Sequence, residues 1–209
     1  MPGEPLRAVD GRVPGRRGRA TRDKLLRTTA ELLAQRSYRD LTVVEIAKRA
    51  RTSTATFYQY FADVEASIAE LAHELAAEGP RLVEIVSSGA WRTDGYDPAL
   101  NLVDAFIDLW ERHRAILRVV DLATAEGDLR FRNIRTHLLS QVTDALRDAV
   151  VRASDGKTEP RAQAAALVSL LAHVAEHRYG FEFWGIRLDD MRHSTARLVA
   201  WGVTGREPS

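Results

Sequence analysis

The sequence predicts an all-α protein in two parts, a small N-terminal three-helix unit and a larger C-terminal helical bundle. Three observations carry this. Apolar residues recur three, four and seven apart through most of the chain, no stretch alternates with the two-residue period of a strand, and Gly, Pro or polar clusters interrupt the helical periods. No internal repeat is present.

Residues 1–19 are rich in Gly, Pro and Arg and lack periodicity, so they are expected to form a disordered basic arm. Arg16, Arg17 and Arg19 close that arm, where basic segments can enter a minor groove. A first helix follows, with Leu25, Leu26, Leu32 and Leu33 on its apolar side. In the stretch TVVEIAKRARTSTATFYQYF, residues 42–61, Thr42 and Glu45 stand three apart as in a capping box. Val43, Val44, Ile46, Ala47 and Ala50 make the apolar side of a second helix. Ser53 is an N-cap for a third, on which Phe57 and Phe61 stand one turn apart and anchor it to the core. Thr54, Ala55, Thr56, Tyr58, Gln59 and Tyr60 are left facing outward. This is the layout of a helix-turn-helix, whose second helix enters the DNA major groove. Thr54 and Ala55 are placed to meet base edges, and Gln59, later in the helix, has the donor and acceptor that pair with adenine. Tyr58, Tyr60, Thr56 and Thr42 suit phosphates, which position without specifying.

This region resembles the DNA-binding domain of the TetR (tetracycline-repressor) family of transcriptional regulators. The matching positions are Leu25-Leu26, Leu32-Leu33, Tyr38, Thr42-Val43, Ile46-Ala47, Ala50, Ser53, Thr56, Tyr58 and Tyr60-Phe61, over roughly residues 20 to 70. Four positions depart from the family pattern. Ser37 and Arg51 stand where glycine is usual, which implies either a cost of about 1 kcal/mol in a left-handed conformation or a different turn. Arg51 also adds a side chain able to reach a phosphate. Val64 replaces a frequent lysine, and Tyr60 a frequent histidine.

Charge distribution agrees with DNA binding. Residues 1–61 hold 13 Lys and Arg against 6 Asp and Glu, a net +7, while the remainder carries −6, giving +1 for the whole. Phosphate neutralisation by such a basic end supplies sequence-independent affinity. Cysteine is absent, which excludes disulfides and thiolate metal sites. The N-terminus lacks the apolar core of a secretory signal, and no apolar run approaches membrane-spanning length, so a cytoplasmic protein with no membrane partner is expected, and a composition rich in Ala and Arg suggests a GC-rich bacterial genome.

Beyond the helix-turn-helix domain, assigned to 20–62, the body 63–209 reads as helices. They cover about 63–78, with 81–88 continuing beyond Gly79-Pro80, then 98–114, 115–125, 128–153, 160–184 and 189–203. In the resembled family such a body binds a small molecule and forms a homodimer. The aromatic residues Trp91, Phe106, Trp110, Phe131 and Phe183, with His113, Asn133 and His137, are the candidates to line a pocket for a fairly apolar effector. Leu167, Leu170, Leu171, Val174 and Phe181, and then Met191, Thr195 and Leu198, form stripes on the last two helices that serve a dimer interface or the chain's own core. His173, Glu176 and His177 spell H-x-x-E-H, a pattern of zinc hydrolases. The alternative it raises is a metal-responsive regulator or a zinc hydrolase, although a five-residue pattern also arises by chance on a surface helix. Gly-rich phosphate loops, G-x-S-x-G and cysteine nucleophiles are absent. The expected protein is a non-enzymatic, homodimeric repressor without a cofactor, which binds a palindromic operator in double-stranded DNA and leaves it on binding a small-molecule effector.

Overall fold

The computed structural model describes residues 15–92, 95–154 and 159–206. Among the described residues nine α-helices run in order: α1 (Arg16–Leu33), α2 (Val43–Arg49), α3 (Thr54–Tyr60), α4 (Val64–Ala76), α5 (Gly79–Ser88), α6 (Tyr96–Ala125), α7 (Leu129–Ala153), α8 (Pro160–Glu182) and α9 (Leu188–Thr204), with a short 3-10 turn at Tyr38–Asp40. No strand occurs among the described residues. None of their helices is long and apolar enough to cross a membrane.

The chain forms two compact units. The first ends at Leu75 and takes in Ala115–Ile134; the second comprises Ala76–Arg114 and the chain from Arg135 onward. The division expected at residue 62 therefore falls later, and a second stretch of chain joins the DNA-binding unit. The reason is physical. Arg22 of α1 is buried, pairs with Glu70 of α4 at 2.5 Å and lies over the Phe61 ring, so α4 belongs to the helices before it. Tyr38 donates to Glu126, which also pairs with Arg39, and Arg130 reaches Asp63 at 3.7 Å. These links tie the end of α6 and the start of α7 to the same unit.

In the second unit, α5 begins at Gly79, and Pro80 occupies its first turn, where its missing N–H costs nothing. The break expected near residue 114 is a kink within α6 at His113 (φ −117°, ψ 18°). The His113 ring meets Glu78 at 2.5 Å. Arg112 also pairs with Glu78, and its hydrogen bond, with that of His113, holds the Glu78 carboxyl below the usual range. α6 ends in a Schellman motif: Gly127 takes φ 92°, and Asp128 donates to the Ala123 carbonyl at 2.9 Å. Helices α8 and α9 pack together, and Gly202 permits it, since a Cβ there would stand 2.6 Å from Leu167 Cδ2.

Candidate nucleic-acid interface

The recognition helix is built as its sequence implies. Thr42 caps α2 by accepting from the Glu45 N–H at 3.3 Å, and Ser53 caps α3 by accepting from the Thr56 N–H at 3.1 Å. Phe57 and Phe61 are buried, with ring centroids 5.4 Å apart. Thr54, Ala55, Tyr58 and Gln59 are exposed, while Thr56 and Tyr60 are half-buried. The Thr56 hydroxyl lies 2.9 Å from that of Ser53, so both belong to the cap as well as to the outer face. Val44, expected on the apolar side of α2, is instead 65 % exposed; Val43 is half-buried and Ile46 and Ala47 carry the packing.

The two glycine departures resolve differently. Ser37 is extended (φ −64°, ψ 141°) and caps the 3-10 turn, so it carries no left-handed cost. Arg51 takes φ 52°. The conformation follows from how α2 ends: Thr52 donates to the Ala47 carbonyl at 2.9 Å and Arg51 to that of Lys48 at 3.1 Å, the two bonds of a Schellman motif with Arg51 at its left-handed position. Replacing Arg51 by glycine should raise stability by about 1 kcal/mol, after the loss of backbone freedom is set against the relief of strain. Thermal unfolding measures this, and an unchanged or lowered melting temperature would show that the arginine side chain is itself holding the turn. Val64, at the other departure, is buried as the first residue of α4 and offers no phosphate contact.

The N-terminal arginines are not in an arm. Arg16, Arg17 and Arg19 form the first turn of α1, exposed, with Gly15 as an N-cap that makes no side-chain bond. Residues 1–14 of the expected arm lie outside the described residues. Lys48 and Arg49, exposed in the last turn of α2, are cationic groups the sequence reading passed over. The run K-R-A-R that they make with Arg51 was the available signal.

The pocket candidates differ in burial and are divided between the two units. Phe106 and Trp110 are buried and stacked at 5.7 Å, and Trp91 is buried with its N–H on the Val86 carbonyl. Phe131 is buried in the other unit. Asn133 and His137 are exposed, His113 is engaged with Glu78, and Phe183 is 91 % exposed. Aromatic residues at helical spacing therefore build core here. The second unit instead has an open cleft of about 620 Å³ between α5 and α6, lined by Ile85, Pro98 and Ala105 beside Arg81, Asp97, Asn101, Asp104 and Asp108.

The dimer stripes divide in the same way. Leu167, Leu171, Val174 and Thr195 are buried within the chain, Leu170, Phe181 and Met191 are half-buried, and Leu198 is 50 % exposed. Periodicity found the inward face of α8. Its exposed face carries Ala162, Ala165, Ala166, Ser169 and His173, and that of α9 carries Leu198 and Trp201.

Comparison with known proteins agrees with this geometry. A model of the tetracyclin repressor-like C-terminal domain matches residues 82–209, and that of the bacterial regulatory proteins of the tetR family matches residues 25–75. No curated protein matches the sequence significantly. The fold is similar to that of the fatty acid degradation regulator FadR from Bacillus halodurans, with a TM-score of 0.68 at 17 % identity over 90 % of this chain and 97 % of that one. FadR from Bacillus subtilis, solved with stearoyl-CoA, gives a TM-score of 0.66 at 16 % identity over 87 % of this chain and 98 % of that one. Reduced NemR from E. coli gives 0.60 at 21 % identity over 91 % and 99 %. With both halves matched and the capped helix-turn-helix in place, the chain belongs to the TetR family of transcription regulators, ligand-responsive DNA-binding proteins rather than enzymes.

Proposed function

We propose that the chain is a homodimeric repressor that reads a palindromic operator with α3 and releases it when a small molecule binds the second unit. The observation that carries this is the exposed polar face of α3, held by a capped start and two buried phenylalanines. Thr54 and Ala55, in the first turn, meet base edges, and Gln59 contacts adenine or a nearby phosphate. Tyr58, Tyr60, Thr56, Thr42, Ser53 and Arg51 contact the backbone, joined by Arg16, Arg17 and Arg19. Two copies meeting through the exposed Ala162, Ala165, Ala166 and Ser169 of α8 and the exposed face of α9 would carry two recognition helices, one for each half-site of a palindrome, and such half-sites stand about 34–36 Å apart.

Selection of genomic DNA fragments by the purified protein, with Tyr58→Ala as control, tests this reading. One palindromic site, lost in the variant, supports it; no enrichment at low salt refutes it. Within the same assay, Tyr58→Phe should weaken binding to all sequences alike, whereas Thr54 substitutions should change the preferred sequence. The reverse pattern would exchange their roles.

The cleft beside α5 is the effector site in this proposal. Its apolar wall at Ile85, Pro98 and Ala105 suits a fairly apolar body, and Asp97 and Asn101 suit a hydrogen-bonding end. Stearoyl-CoA, the molecule in the Bacillus subtilis structure, shares the apolar body, but its phosphates would face the carboxylate of Asp97 here, while Asp104 is paired with Arg192 and Asp108 with Arg81 and Arg112. Effector and operator must weaken each other's binding by the same factor. Filling the cleft with Asn101→Trp should leave operator affinity within about twofold and abolish release, as read by DNA binding in the presence of effectors found by thermal-shift screening. Release that persists in the variant would place the effector elsewhere.

A further inference from the structure

We propose that His173, Glu176 and His177 form a binding site for a divalent transition-metal ion on the exposed face of α8. The three residues stand at i, i+3 and i+4, within an arc of about 100° on one side of the helix. Their candidate ligand atoms all lie within 4.8 Å of one another. Ligands of a tetrahedral ion held at about 2.0–2.1 Å stand about 3.4 Å apart, so these atoms must close by up to about 1.4 Å. All three side chains are exposed, which leaves their rotamers free to make that movement.

The local contacts favour a metal over a solvated surface cluster. The imidazoles of His173 and His177 lie 4.0 Å apart, near enough for one nitrogen of each to serve the same ion. His177 Nδ1 lies 3.2 Å from the His173 carbonyl oxygen. A proton donated there puts the lone pair on Nε2, the arrangement by which a ligating histidine is usually oriented. The adjacent cation, Arg178, pairs with Glu111 and stacks on Tyr179, and His177 Nδ1 lies 3.6 Å from the Glu176 carboxylate. Two imidazoles and one carboxylate suit zinc, nickel or copper and not magnesium, and solvent exposure leaves a fourth position for water. The site stands on α8 alone and does not depend on the operator reading.

Isothermal titration of the full chain, stripped with a chelator and then given Zn²⁺ alone, tests the proposal, with Mg²⁺ as the control ion. One equivalent of Zn²⁺ per chain is expected, with no saturable binding of Mg²⁺. His173→Asn and His177→Asn should each weaken Zn²⁺ binding at least tenfold, while His73→Asn, on α4, should not. Circular dichroism checks that the variants keep their helical content, which exposure of both side chains leads us to expect. Absence of saturable Zn²⁺ binding, or full affinity in either α8 variant, overturns the site.

Discussion

Replacing Phe57 by alanine is expected to abolish operator binding and to lower the melting temperature by roughly 6–20 °C. Phe57 is fully buried, touches Phe61 ring to ring, and anchors the helix whose opposite side faces outward. Truncating a buried phenylalanine typically costs about 3–5 kcal/mol through lost transfer energy and the cavity left behind. In a chain of this length each kcal/mol shifts melting by about 2–4 °C. The same change removes the base under α3, so the loss of binding is indirect. Phe57→Leu separates the two contributions: it keeps an apolar side chain of similar size, should cost less than about 1.5 kcal/mol and should still bind. Differential scanning calorimetry and fluorescence anisotropy on an operator fragment give both readouts. Unchanged melting with lost DNA binding would make Phe57 a contact residue rather than a core one.

The recognition motif was legible because its signals are local. A cap and the N–H that it satisfies lie three residues apart, and two phenylalanines one turn apart share a face, so Ser53, Phe57 and Phe61 could be assigned without knowing anything distant. The succession of helices and the break in α6 were legible for the same reason. What the sequence withheld was partnership. The stripe of Leu167, Leu171 and Val174 is a genuine apolar face, but spacing does not say whether it meets α9 or a second copy, and in the structure it is buried within the chain. Phe131 and Trp110 are similar residues on similar helices, yet they fall in different units. That division is made by pairs far apart in sequence, such as Tyr38 with Glu126 and Arg22 with Glu70, which no periodicity reveals.

The start of α1 was misread for a different reason. Gly15 makes no side-chain cap, the first turn holds no acidic residue, and Arg16, Arg17 and Arg19 put positive charge at the positive end of the helix dipole. Local rules therefore argue against a helix there, and one forms nonetheless. Such an end costs the free protein roughly 0.3–1 kcal/mol per arginine at low salt, and a phosphate would turn that cost into attraction. Replacing all three arginines by alanine should thus stabilise the free protein by about 1–3 kcal/mol at low salt. The same variant should bind operator more weakly, and the slope of log affinity against log salt should become shallower by about 2.7 per subunit, or about 5.4 for the dimer, since each phosphate contact contributes about 0.9. Deleting residues 1–19 would be a poorer test, because it would also remove the first turn of α1. An unchanged slope would show that these arginines do not touch DNA; a loss of stability would show that they hold α1 by bonds within the chain. Opposite movements of stability and affinity would mark this turn as a surface shaped by the nucleic acid it meets and not by the fold that carries it.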